Sequence, residues 1–303
     1  MGDLLAALLD GRAQVTRGGR EGEMPYIAEI SRNNPACFLF LIDQSGSMND
    51  IWGGQTSKKK CDGVADIINR LLQELVLRCA KEEGIRDYFH VGVIGYGAQT
   101  GPAFSGPLAG QSLVRISEVG MNPAEIEERQ KFFDDGAGGL IERPVKFPVW
   151  FKPQAKGATP MRKAFDTATG IVNDFLVSYP HCFPPIIINL TDGESTDGDP
   201  LPHMRRLRAM SSSDGATLLF NLHISSAGET PIAFPHSTDN LPKAEFAQLL
   251  FDGSSELTAY MREMADMAYG LPLPSGARGY VFNADSTLMI QALDIGTRVD
   301  NLL

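Results

Sequence analysis

The chain is short of the residues that mark most kinds of protein chemistry. Its 303 residues include four cysteines and five histidines. Cys37, Cys61, Cys79 and Cys182 are scattered, with no short Cys-x-x-Cys pair and no histidine pair nearby, which argues against a zinc site and against a disulfide framework. None of His90, His181, His203, His223 and His236 stands in a recognisable catalytic motif. Gly-x-Ser-x-Gly elbows, Gly-x-x-x-x-Gly-Lys loops and Gly-x-Gly-x-x-Gly turns are also missing, so no enzymatic activity is expected. Positive charge is scarce, with 27 Lys and Arg against 37 Asp and Glu for a net of −10. Nucleic acid is therefore a poor partner, because phosphate binding needs a basic face. No window approaches the roughly 20 apolar residues of a membrane span, so no membrane partner is expected. The apolar part of Met1–Asp10 is too short for a secretory signal, and the expected location is the cytoplasm.

The chain does contain apolar strands that run into acidic turns. Ala36 to Ile42 is an unbroken apolar run followed by Asp43-Gln44-Ser45-Gly46-Ser47, which reads as a strand buried on both faces ending in a polar turn. Asp43, Ser45 and Ser47, at i, i+2 and i+4, offer only oxygens, as a hard cation requires. The same residues also fit an ordinary strand-to-helix turn with capping hydroxyls. A second apolar strand, Pro185 to Thr191, leads into Asp192-Gly193-Glu194. Tyr88 to Tyr96, Thr217 to Ser225 and Tyr280 to Ala284 are further strands, and Pro25 to Ser31 is an edge strand.

Helical spacing covers Asp62 to Glu83, closed by Gly84, and the segment from Met161 to Tyr179. For the second of these helices Thr159 is placed at the N-cap and Pro160 at the first helical position. Shorter helices are expected at Leu4–Leu9, Leu201–Ser211, Lys243–Leu250, Glu256–Tyr269 and Ser286–Val299. Between Gly97 and Gly157 the pattern is irregular: a strand at Ser112–Val119, a charged helix at Pro123–Phe133, a Gly-rich turn at Asp134–Gly139 and an extended segment at Val145–Pro153. Strand and helix alternate throughout, which predicts an α/β fold with a doubly wound, mainly parallel central sheet and helices on both faces. Residues 1–23 are expected to be a mobile extension and 24–303 one domain, with an insertion within about 97–157.

Taken together, Asp43-x-Ser45-x-Ser47, Thr159 at a helix start and Thr191-Asp192-Gly193 after an apolar strand resemble the von Willebrand factor type A (VWA) family and its metal-ion-dependent adhesion site. The resemblance covers roughly residues 35 to 300. The stretch from Asp43 to Thr159 is longer than a compact member needs, which is where the insertion falls. By this resemblance the metal set is Asp43, Ser45, Ser47, Thr159 and Asp192, and the ion is Mg2+, with Mn2+ or Ca2+ as alternatives. Ser45, Ser47 and in some states Thr159 would touch the ion, while Asp43 and Asp192 would hold its waters and the seryl groups. An Asp or Glu carboxylate from a partner protein would fill the open position. Without the ion that carboxylate would face Asp43 and Asp192 and be repelled.

The resemblance extends to bacterial cytoplasmic tellurium-resistance-associated VWA proteins, which work with kinases and phosphatases in signalling or stress modules. The alternatives are a VWA partner of a MoxR-type AAA+ ATPase, or a structural VWA module with no functional metal site. A phosphatase reading of Asp43 fails for want of a second Asp at position 45. An EF-hand reading of Asp192 fails for want of Gly and Glu at the sixth and twelfth places. Glu194, Asp197 and Asp199 read as a solvated acidic turn, and Lys58-Lys59-Lys60 as a solvated loop.

Overall fold

Strand β1 (Ala36–Asp43) lies at the centre of the molecule, and each of its eight residues is at most 1 % exposed. In the computed structural model, which describes residues 26–53, 58–134, 139–226 and 230–298, both of its edges are paired and both of its faces are covered. A 3-10 turn (Gly46–Asn49) leads on to helix α1 (Lys60–Cys79), a small hairpin of β2 (Ala80–Lys81) and β3 (Gly84–Ile85), and strand β4 (Phe89–Tyr96). Next come β5 (Thr100–Pro102), β6 (Val114–Arg115), helix α2 (Ile116–Met121) and a ribbon of β7 (Glu125–Asp134) with β8 (Leu140–Val149). The second half holds α3 (Met161–Ser178), β9 (Ile186–Thr191), α4 (Leu201–Arg208), a hairpin of β10 (Ser211–Ser212) and β11 (Gly215–Ala216), β12 (Leu218–His223) and β13 (Ile232–Ala233). The described chain closes with α5 (Glu245–Gly253), α6 (Ala259–Tyr269), β14 (Tyr280–Phe282) and α7 (Ser286–Thr297).

The main sheet has the order β13-β14-β12-β9-β1-β4-β5, with β6 also paired to β4. Strands β4, β1, β9, β12 and β14 are parallel, whereas β5, β6 and β13 are antiparallel additions. Alternation along β1 sends Phe38, Phe40 and Ile42 into one core with α1, α6 and α7, and Leu39 and Leu41 into another with α3, α4 and α5. This is the expected doubly wound α/β arrangement. The chain leaves β1 toward β4 on one side and later fills β9, β12 and β14 on the other. The carboxyl ends of β1 and β9 therefore flank the crevice where strand order reverses, the usual place for a ligand in such sheets. No helix among the described residues is long and apolar enough to cross a membrane.

Several local expectations are corrected. The residues from Tyr26 to Ser31 do not form an edge strand; their amides are held by Asp214, whose carboxylate accepts from Ile27 and Ala28 at 2.9 and 3.0 Å. Helix α1 stops at Cys79, and Gly84, with φ +122°, turns the β2–β3 hairpin instead of closing the helix. The strand expected over Ser112–Val119 is only Val114–Arg115; from Ile116 the chain is helical, with Ile116 and Val119 buried and the Ser117 amide donating to Asp87. The charged segment after Pro123 is strand β7, in register with β8 from Glu125↔Val149 to Asp134↔Leu140. Tertiary contacts override its helical composition there. Arg129 lies 3.6 Å over the ring of Phe147 and pairs with Asp66 of α1 at 2.8 Å. The predicted helix Leu4–Leu9, the extension 1–23 and most of the turn at 134–139 lie outside the described residues.

Candidate functional site

Strands β1 and β9 end side by side, and this delivers the acidic turns to one point. Ile42 is in register with Leu190, so Asp43 emerges beside Thr191. Oδ1 of Asp43 accepts from the Ser45 amide and Oδ2 from the Thr191 hydroxyl, both at 2.8 Å. Ser47 donates to Oδ1 of Asp192 at 2.8 Å, and the Ser45 and Ser47 hydroxyl oxygens lie 3.0 Å apart. Four of the five residues read from the sequence therefore form one hydrogen-bonded network.

Thr159 is not bonded to this network and lies on the adjoining loop. The Gly46 amide donates to the Gly157 carbonyl at 2.9 Å, while Thr159 and Thr196 exchange two bonds of 2.9 and 3.0 Å. The Thr159 hydroxyl makes no hydrogen bond to the other four. Nor does Thr159 cap α3: the N-cap is Pro160, and the amides of Arg162 and Lys163 are taken by the two carboxylate oxygens of Asp197, both at 3.0 Å. Burial pushes the Asp197 carboxyl up, but those two amides and the Ser195 hydroxyl outweigh it, and its pKa is lowered. Asp197 is thus a helix cap supplied from another loop, not a solvated acid.

Two residues outside the five read as the metal set also enter the site. Thr191 anchors Asp43. Lys60, the first residue of α1, is buried, and its ammonium lies 2.6 Å from Oδ2 of Asp192; 5 % of the lysine side chain and none of the aspartate side chain is exposed. Lys58 pairs with Asp66, so of the three lysines Lys60 corrects the solvated-loop reading most sharply. The signal for it was slight: a lysine at the first position of an amphipathic helix, next to a polar loop.

Asp43 is fully buried and has no cation partner among the described residues. Burial, reinforced by the charge of Asp192, raises its pKa to about 6 against the pull of the Ser45 and Thr191 hydrogen bonds. A buried carboxylate in this state favours the approach of positive charge. The set is all oxygen and mostly hydroxyl. No group of three or more His, Cys, Asp or Glu among the described residues could hold a metal, so any ion here depends on Ser45 and Ser47. Such a set suits a hard cation and offers nothing to zinc.

No family model matches the chain, and no curated protein matches it. Solved structures similar to it include the vWF domain of the type V pili tip protein Mfa5 from Porphyromonas gingivalis, with 13% identity, 54% of this chain and 39% of that chain covered, and a TM-score of 0.30. A structure of three N-terminal domains of Mfa5 has 12% identity, 54% and 20% coverage and a TM-score of 0.28. The PilB minor pilin from Streptococcus sanguinis has 14% identity, 59% and 35% coverage and a TM-score of 0.28. The chain thus spans at most 39% of the length of each.

Proposed function

We propose that this chain is a non-enzymatic, divalent-metal-dependent protein-binding module of VWA type. Mg2+, with Mn2+ or Ca2+ as substitutes, would be held by the Ser45 and Ser47 hydroxyls, with Thr159 on the adjoining loop and Asp43 and Asp192 fixing the seryl groups from behind. The ion would supply an electrophilic open position for a partner's Asp or Glu carboxylate. The observation that carries this reading is the union of the two strand-end turns, Thr191 on Asp43 and Ser47 on Asp192, around an uncompensated buried carboxylate. By the sequence resemblance, the proposed setting is a cytoplasmic signalling or stress-response complex with kinase and phosphatase partners; an adaptor of a MoxR-type AAA+ ATPase is the alternative.

The test is calorimetry with MgCl2 or MnCl2 on the wild type and on Asp43→Asn. Binding heat and a raised melting temperature in the wild type, both lost in the variant, support the reading, and their absence from the wild type rejects it. A second reading is favoured by Lys60: its ammonium already neutralises Asp192, as it would in a structural module that needs no metal. Under that reading the wild type gives no heat at any divalent ion concentration.

A further inference from the structure

On the opposite side of β1 from Asp192, a cavity of about 520 Å³ opens between the metal turn and the edge strand β5. Its lining includes Gln44, Gln99, Thr100, Gln154 and Lys156, and no lining residue is acidic. Gln44 stands between Asp43 and Ser45, yet its side chain turns the other way, onto Gly95 of β4. A Cβ at Gly95 would come within 2.0 Å of the Gln44 amide oxygen, so the glycine makes the seat for this side chain. Gln44 is only 8 % exposed, and its Nε2 is buried without a hydrogen-bond partner, as is the Thr100 hydroxyl. Two buried polar groups left unpaired in one cavity cost stability and are uncommon in folded proteins. Lys156, exposed among the lining residues, pairs with no acidic residue among those described.

We propose that this cavity is a second binding site, separate from the metal centre, for a carboxylate-bearing ligand. The free amide hydrogens of Gln44, the Thr100 hydroxyl and the Lys156 ammonium are all able to donate, and a carboxylate, with two acceptor oxygens, is matched to such donors. The volume is that of a small-molecule site. The carboxylate belongs either to a free small acid or to an acidic side chain of a bound protein. The ligand would also bear on the metal turn, because the Lys156 amide donates to the Gln44 carbonyl at 2.7 Å and Gly157 accepts from Gly46. The site does not depend on the metal reading.

The experiment is a titration of the full chain in metal-depleted buffer, following the Gln44 side-chain amide by NMR. One arm uses succinate, the other the capped peptide acetyl-Ala-Glu-Ala-amide. Saturable movement of that amide by either probe, weakened about tenfold in Lys156→Met and in Thr100→Val, is the expected result. Saturation by succinate alone assigns a free acid, and by the peptide alone a partner side chain. Movement by neither probe in the millimolar range, or binding undiminished in Lys156→Met and Thr100→Val, overturns the proposal. Lys156 is exposed, so its variant keeps the test valid if Thr100→Val fails to fold.

Discussion

Replacing Lys60 with methionine keeps most of the side-chain stem but leaves the Asp192 carboxylate buried without its cation. Breaking one half of a buried pair costs about 3–5 kcal/mol, so Lys60→Met is expected to melt well below the wild type in metal-free buffer. Its Oδ2 is then free for a cation from solution, and Mg2+ is expected to bind more tightly than to the wild type; calorimetry on both proteins checks this, and weaker binding would show that the lysine assists the ion. His223, stacked on Phe282 at 4.7 Å, gives a pH prediction. Burial, with a smaller contribution from the Lys60 charge, lowers its pKa from 6.5 to about 4. The folded state then holds its proton less tightly than the unfolded chain. The stability His223 contributes is present above pH 6.5 and is lost, on the order of 3 kcal/mol, as pH falls toward 4. Asp43, whose pKa is raised, acts in the opposite sense over part of that interval, so the comparison is between wild type and His223→Gln, whose melting temperature should fall less steeply from pH 7 to 4. Asp43, Ser45, Ser47 and Asp192 were legible in the sequence because each sits at a fixed offset from the end of an apolar run. Lys60 and Asp197 were not, since burial of a lysine and capping from a distant loop depend on how separate loops cross.

Among the elements, the strands of the parallel core were the easiest to read, because burial on both faces demands continuous apolar runs such as Phe38 to Ile42 and Ile186 to Ile188. Ribbon β7–β8 was the hardest. Its residues Glu125 to Lys131 are good helix formers on the surface, and what makes them a strand is Arg129 seated on Phe147 and held by Asp66. The junction that follows is fixed by Asn69 of α1, whose Oδ1 accepts from the Trp150 and Phe151 amides at 2.8 and 3.0 Å. At the other end of the insertion, Gly97 sits where the turn after Asp43 meets the segment leading to Thr159. A Cβ there would lie 2.5 Å from the Gln44 carbonyl oxygen and 2.8 Å from that of Lys156, both backbone atoms with little room to move. Gly97→Ala is therefore expected to cost about 1–3 kcal/mol and to weaken the proposed Mg2+ binding by parting the two loops. Denaturant unfolding and calorimetry on the same variant measure the two effects.

For the molecule as a whole, the site and the ribbon are separable. The ribbon's outer half is solvated, with Phe132 62 % and Leu140 72 % exposed, while Phe147 and Val149 at its base belong to the core. Replacing residues 131–143 with Asn-Gly, which retains Arg129 and its contacts, is expected to shift the melting temperature by only a few degrees and to leave the proposed Mg2+ binding intact. A large loss of stability would mean that the ribbon buries more than its base. The placement of β1 has one more consequence. Because this strand is bonded along both edges and sealed on both faces, its amide hydrogens can trade with solvent deuterium only when the entire sheet comes apart, while those of the outer ribbon trade through small local openings. Any ligand gripping the turn after Asp43 would consequently slow isotope uptake throughout the central strands, far from where it touches.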